Sequence, residues 1–151
     1  MAAYQTVSPQ TVKAMLRDGN ELALVDVREQ GVYFHEHLLF ACCIPASQLE
    51  LRVADLVPRR GTRIVLCDAR DDGPARSAAE KLAEFGYIDV AVMSGGVTAW
   101  RDAGFEVFSG VNVVSKAFGE YVEHRYDTPR ITAQQLAAKQ EARENLSLIH
   151  I

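Results

Sequence analysis

Three apolar runs of strand length constrain the fold of this chain more than any other feature. They cover residues 21–27 (ELALVDV), 63–69 (RIVLCDA) and 90–93 (VAVM). Nearly unbroken apolar runs of this length are typical of parallel strands that are covered on both faces. The sequence therefore predicts a sheet whose central strands are buried from two sides.

Helical patterns alternate with these runs. Apolar residues recur at helical spacing in residues 48–56, 74–87 and 95–104, and a shorter strand is predicted at 41–45. Ser8 followed by Pro9 is typical of a helix start. Strands that alternate with helices predict an α/β fold, a doubly wound parallel sheet with helices on both faces.

Composition excludes several classes of function. The 151 residues carry a net charge of −4, which gives no reason to expect nucleic acid or an anionic membrane as partner. The apolar runs are far shorter than the roughly 20 residues of a membrane span. We expect no signal peptide, because no basic stretch precedes an apolar one at the start. Three cysteines without ligand or disulfide spacing predict a cytoplasmic protein with no metal and no cofactor.

A loop rich in charge follows the second apolar run. It consists of Asp71, Asp72, Gly73, Pro74, Ala75 and Arg76. These residue types suit a turn and a helix start. They also suit an anion-binding loop, because the N–H groups of a helix N-terminus attract negative ligands. Cys67 lies before the loop in the apolar run, where packing in the core is its simplest role.

The end of the chain resembles its beginning. With a shift of 124 residues, 131–151 aligns on 7–27 without a gap, and Gln10, Ala14, Leu22 and Leu24 recur as Gln134, Ala138, Leu146 and Leu148. We expect three regions: a domain at 1–109, a linker with a short helix at 110–128, and the start of a second, truncated repeat at 129–151. An apolar strand without its own sheet favours pairing, so we also expect a homodimer through this tail.

Four segments resemble the rhodanese-like domain family. They are LVDVRE (24–29), HLLFACCIP (37–45), IVLCDARDDGPARSAA (64–79) and VMSGGVTAW (92–100). The resemblance implies the doubly wound α/β fold and, in active members, sulfurtransferase activity. In those members a loop cysteine takes a sulfur from a donor such as thiosulfate and holds it as a persulfide. The duplicated start resembles proteins with such domains in tandem.

The resemblance also implies roles for single residues. Arg76 matches the arginine that closes the family's loop, and the cysteine expected five residues earlier is Asp71. The position six residues earlier, which the phosphatase relatives of this fold use, is Arg70. The resemblance further implies that Asp26 fixes nearby backbone and that His37 braces a turn.

Three hypotheses follow. The preferred one is a rhodanese-like domain without its own catalytic cysteine, inactive alone and structural or regulatory in a tandem protein. In that protein a second rhodanese-like domain is the partner, and thiosulfate reacts with the full-length chain. The second is an active sulfurtransferase that uses Cys67 as persulfide carrier, although Cys67 stands nine residues before Arg76. The third is an anion- or peptide-binding module at the loop Asp71–Arg76.

Overall fold

The computed structural model describes residues 4–71, 73–110, 113–127 and 129–144. The chain divides into two compact units, Met1–Val114 and Ser115–Ile151. The first unit contains a five-stranded sheet in the order β1-β5-β4-β2-β3, in which every pair of neighbours is parallel. The strands are β1 Gln5–Val7, β2 Ala23–Asp26, β3 Cys42–Cys43, β4 Ile64–Cys67 and β5 Val90–Met93.

Helices connect the strands of this unit. They are α1 Pro9–Met15, α2 Gln30–His35, α3 Leu49–Leu56, α4 Pro74–Glu84 and α5 Gly96–Asp102, with a short 3₁₀ helix at Ala46–Gln48 before α3. The Ser8 hydroxyl accepts a hydrogen bond from the Thr11 N–H at 3.1 Å, so the predicted cap of α1 is confirmed. The strand and helix order confirms the predicted α/β fold.

Two apolar cores lie on opposite faces of the sheet. One contains Val25, Leu66 and Val92 from the strands together with buried residues of α3 and α4. The other contains Val65 and Met93 together with buried residues of α1 and α5. Side chains alternate between the faces of a strand, so β4 supplies both cores and all four of its residues are buried.

Two elements of the first unit differ from the sequence-based expectation. Strand β1 was not predicted, because it has only three residues and two of them are exposed. It extends the sheet by pairing with β5 at the edge. Helix α2 was not predicted either, and none of its residues is buried. In a helix without a buried face, apolar residues do not recur at helical spacing, so the sequence gives no signal for it.

The second unit contains most of α6, Val113–Tyr126, and all of α7, Ala133–Glu141. Helix α6 has 14 residues and fills most of the segment 110–128, where a linker with only a short helix was expected. Helix α7 begins with a capping box, since the Thr132 hydroxyl accepts from the Gln135 N–H and the Gln135 amide oxygen accepts from the Thr132 N–H. The strand expected around Leu148 lies outside the described residues.

Across the described ranges, no helix is both long enough and apolar enough to cross a membrane.

The close approach of α5 to the loop after β4 makes Gly96 sensitive to substitution. A Cβ at Gly96 would lie 2.4 Å from the Asp68 carbonyl oxygen, and φ there is +57°. We expect Gly96→Ala to lower the free energy of unfolding by about 2–4 kcal/mol, through the clash and the left-handed backbone. Urea denaturation followed by circular dichroism measures this change.

Gly31→Ala is the matched control for this substitution. Gly31 lies in α2, its φ is not positive, and no atom lies within 4 Å of an added Cβ. The control should be neutral or up to about 1 kcal/mol more stable than the unsubstituted chain. Equal denaturation midpoints for the two variants would contradict a tight contact at Gly96.

Candidate functional site

The loop after β4 is organised around the carboxylate of Asp68. This residue directly follows β4 and is 1% exposed. One carboxylate oxygen accepts hydrogen bonds from the backbone N–H groups of Arg70, at 3.1 Å, and of Asp71. The other accepts from the N–H of Ala75, the second residue of α4, at 3.1 Å. The loop therefore curls around a negative charge that the chain itself supplies.

The N-terminus of α5 closes the other side of the loop. The N–H of Val97 donates to the Asp68 carbonyl at 2.9 Å, and the N–H of Thr98 donates to the Ala69 carbonyl at 3.0 Å. Gly96 permits this approach, because it has no side chain between α5 and the loop. The N-terminus of α5 therefore fixes the backbone of Asp68 and Ala69, while the side chain of Asp68 fixes the loop that follows.

Asp71 and Arg76 form an ion pair within the loop. Nε and Nη2 of Arg76 donate to the two carboxylate oxygens of Asp71, at 2.7 and 2.8 Å. The side chain of Asp71 is 8% exposed and that of Arg76 is 53% exposed. Hydrogen bonding from Arg76 is the main cause that lowers the pKa of Asp71, although burial opposes it. The same hydrogen bond raises the pKa of Arg76.

The other described residues of the predicted loop determine its backbone conformation and its packing against the core. Gly73 has a φ of +141° and precedes Pro74, the first residue of α4. Ala75 is fully buried against the core, and Asp72 lies outside the described residues. Asp71 itself has a φ of +60°, a left-handed conformation that aspartate adopts more readily than most residues. The structure thus brings Asp71 and Arg76 into direct contact.

Cys67, the alternative nucleophile, lies in the core. Its side chain is fully buried in the cluster that includes Val12, Met93 and Trp100. Burial is the first cause that raises the pKa of the Cys67 thiol well above its usual value, and the nearby charge of Asp26 adds to it. A thiol in this position stays protonated at neutral pH, whereas sulfur chemistry requires the thiolate.

The other two cysteines lie on β3 at the edge of the sheet. Cys42 is exposed, while Cys43 is half-buried and its thiol donates to the carbonyl of Arg28 at 3.6 Å. Burial is the first cause that raises the pKa of Cys43. Neither residue belongs to the loop between β4 and α4.

Asp26 and Arg28 form a buried ion pair at the end of β2. Nε and Nη2 of Arg28 donate to the Asp26 carboxylate at 2.9 and 2.6 Å, and the Arg28 N–H donates to it at 3.0 Å. Nη2 also donates to the carbonyl of Glu36 at 2.5 Å. Asp26 therefore fixes the backbone that follows β2, as the resemblance implies.

His37 is buried beside α2. Its Nδ1 lies 2.9 Å from the Tyr33 carbonyl oxygen, and the two rings stack with centroids 4.0 Å apart. Burial, followed by the charge of Asp26, raises the pKa of Tyr33 to about 12, and its hydroxyl donates to the Ala41 carbonyl at 2.7 Å. His37 thus braces the turn after α2.

Sequence reasoning missed Asp68 and Arg28. A signal existed for Asp68, because a carboxylate directly after a buried parallel strand lies at the sheet edge where ligands of α/β proteins bind. No comparable signal pointed to Arg28, whose carbonyl contact at Glu36 depends on the path of α2.

A groove of about 420 Å³ lies away from this loop, along the β3 edge of the sheet. Phe40, Cys42, Leu56 and Arg59 are among its lining residues, and the loop contributes none. No cluster of three or more metal-ligating side chains occurs in the part of the chain that the structure describes.

Comparisons with known proteins agree with this fold. The family described as "Rhodanese-like domain" matches residues 8–103. A curated but uncharacterized protein of Synechocystis is 27% identical over 99 residues, which cover 66% of this chain and 53% of that protein. The chain therefore spans about half the length of this relative.

Solved structures extend the comparison. A thiosulfate sulfurtransferase from Pseudomonas aeruginosa is 44% identical, with a TM-score of 0.85, over 92% of this chain and 26% of that one. The Alr3790 protein of Anabaena is 24% identical, with a TM-score of 0.64, over 78% of this chain and 93% of that one, which shows a shared fold. With the family match extending from α1 to the end of α5, this chain belongs to the rhodanese-like domain family.

Proposed function

We propose that this rhodanese-like domain has no sulfur nucleophile in its own loop and serves a structural or regulatory role in a tandem protein. One observation carries the proposal. Asp71 stands where the family's cysteine is expected, five residues before Arg76, and its carboxylate is bound to the guanidinium of Arg76. A carboxylate cannot form a persulfide, and the Asp71 carboxylate also takes up the hydrogen-bond donors of Arg76.

Charge supports the same proposal. A thiosulfate dianion that approaches Arg76 meets the negative charge of Asp71, which costs about 1 kcal/mol per pair of unit charges at 4 Å even in bulk water. The N-terminus of α4 stabilises carboxylates. The aspartates of this loop are therefore favourable for the fold and unfavourable for the reaction.

The two alternatives have less support. Sulfur transfer by Cys67 requires a thiolate, whereas burial raises the pKa of this thiol and the core covers it. Binding of an external anion or an acidic peptide at the loop would have to displace Asp71 from Arg76.

The internal repeat supports the tandem arrangement. The caps of α1 and α7, Ser8 and Thr132, lie 124 residues apart, as in the sequence alignment. Both have a φ of −77°, with ψ values of 159° and 163°, and both side chains accept an N–H from the third residue of the helix. We infer that α7 begins a second rhodanese-like domain, and that a cysteine reacting with thiosulfate belongs to another domain of the full-length protein.

The first prediction from this proposal concerns activity. We expect the chain to show no thiosulfate:cyanide sulfurtransferase turnover above a protein-free background, because the expected nucleophile is a carboxylate. Thiocyanate formation measures it, with Cys67→Ser and Cys42→Ser as paired variants. A rate that disappears in Cys67→Ser but persists in Cys42→Ser would replace the proposal with the Cys67 hypothesis.

The second prediction concerns the pH dependence of stability. The folded pKa of Asp71 lies below its usual 3.8, so its contribution to stability is complete above that pH. The contribution is lost as the pH falls through the folded pKa. Asp71→Asn, which keeps the shape and tolerates the left-handed backbone, should lower the melting temperature by a few degrees at pH 7. The difference should shrink below pH 3.8.

Arg76→Gln provides the control for this measurement. This substitution removes the other side chain of the ion pair. Once either side chain is lost the pair is already broken, so combining Asp71→Asn with Arg76→Gln should not destabilise the chain further than the more harmful of the two substitutions alone. Additive losses in the double variant would indicate that the two side chains act separately. Calorimetry at several pH values distinguishes the two results.

The third prediction concerns self-association. Phe118, Tyr121, Tyr126 and Ile131 of the second unit are each more than half exposed. We propose that these exposed apolar side chains, together with the apolar sequence of residues 146–149, pair two chains. Light scattering should give a mass near twice 16.7 kDa. Leu146→Ser with Leu148→Ser should give the monomer mass, whereas Gln134→Ser with Gln140→Ser should not change it.

A further inference from the structure

Asp68 is the most buried charged residue among the described residues of 68–76, and the proposed function does not use its carboxylate. We propose that Asp68 is a built-in anion which occupies the centre of this loop and closes it to an external anion and to a reactive sulfur, independently of Asp71. The proposal deepens the proposed function and rests on it in one respect, that the loop after β4 is the place where this family performs its chemistry.

The hydrogen bonds of Asp68 carry the argument. Its two oxygens accept three backbone N–H groups, from Arg70, Asp71 and Ala75. Hydrogen bonds to a charged acceptor are stronger than neutral ones, and donors at a helix N-terminus favour a negative partner. These N–H groups are therefore already satisfied by a negative charge, and an incoming anion would have to compete with it.

The position of Asp68 is fixed as well as its charge. Its carbonyl accepts the Val97 N–H at 2.9 Å, and an added Cβ at Gly96 would lie within 2.4 Å of the same oxygen. The side chain is 1% exposed. Displacing the carboxylate would leave it without its partners in a buried place, which is costly. Asp68 is thus a permanent occupant of the loop.

A consequence follows for any thiol placed in the loop. Persulfide formation needs a thiolate that attacks the outer sulfur of thiosulfate, so that a new S–S bond forms and sulfite leaves with the electron pair of the broken one. A thiolate at position 71 would lie beside the Asp68 charge, because the N–H of residue 71 itself donates to that carboxylate. Replacing Asp71 by cysteine should therefore not be sufficient, and Asp68 must be neutralised too.

The experiment compares three variants in a Cys42→Ser, Cys43→Ser background, which removes the more accessible native thiols. The first carries Asp71→Cys alone. The second adds Asp68→Asn, which removes the charge and keeps the shape. The third is the matched control, which adds Asp55→Asn instead, a neutralised exposed carboxylate on α3. The rate of iodoacetamide alkylation against pH, mapped to the loop peptide by mass spectrometry, gives the pKa of the introduced thiol. Incubation with thiosulfate then measures persulfide on the same peptide.

We expect Asp71→Cys alone, and with Asp55→Asn, to titrate at or above the usual thiol value of about 8.5 and to form little persulfide. With Asp68→Asn the thiol pKa should fall by about one pH unit or more, and persulfide should increase about tenfold, because the neighbouring negative charge is removed and the amide has only one oxygen to accept the N–H groups. Where Asp68→Asn does not fold, as judged by circular dichroism, Asp68→Ser takes its place.

Two results would overturn the inference. One is a lowered pKa of the introduced thiol together with ready persulfide formation in Asp71→Cys alone. This result is decisive even where no Asp68 variant folds. The other is a folded Asp68 variant that leaves the pKa and the persulfide yield unchanged. Turnover by the unsubstituted chain is measured separately and would overturn the proposed function instead, so the two failures remain distinguishable.

Discussion

Burial of β4 on both faces is the constraint on which the rest of the first unit depends. This strand lies between β5 and β2, and its four residues supply both apolar cores. Because the strand is fixed from two sides, the residue that follows it emerges at one defined point of the sheet edge. That residue is Asp68, whose carboxylate then gathers the loop that leads into α4. Packing energy in the sheet thus determines where the polar chemistry lies.

The loop after β4 pairs its own carboxylates with the groups that attract negative charge. A loop that curls around a negative sulfur and one that curls around a carboxylate place similar demands on the backbone, since both present N–H groups and a helix N-terminus to negative charge. In this chain Asp68 meets the N–H groups and Asp71 meets the guanidinium of Arg76. The N–H groups and the guanidinium are thus paired with charges that the chain itself supplies.

Much of this arrangement could be predicted from the sequence where the signal is local. Strand β5 has the predicted bounds, and α4 begins at the predicted Pro74, because apolar runs and helix starts are encoded in consecutive residues. The spacing of Asp71 and Arg76 also indicated where the loop lies. Strand β1 and helix α2 could not be predicted, since β1 gains its hydrogen bonds from β5 and α2 has no buried face. Their positions depend on distant parts of the chain.

The sequence by itself determined the α/β class, the two-sided burial of the central strands and the absence of a cysteine five residues before Arg76. Only the tertiary structure decided which carboxylate fills the loop. Asp68 and Asp71 lie three residues apart in the sequence. The position of Asp68 directly after the strand places it at the sheet edge, but no short stretch of sequence shows that its carboxylate is the more buried of the two. Asp68 becomes the buried one because β4 carries it to the sheet edge, where α5 closes over its carbonyl and the first turn of α4 donates to its side chain. Three elements, β4, α4 and α5, are needed to bury that charge, and no short stretch of sequence contains them all.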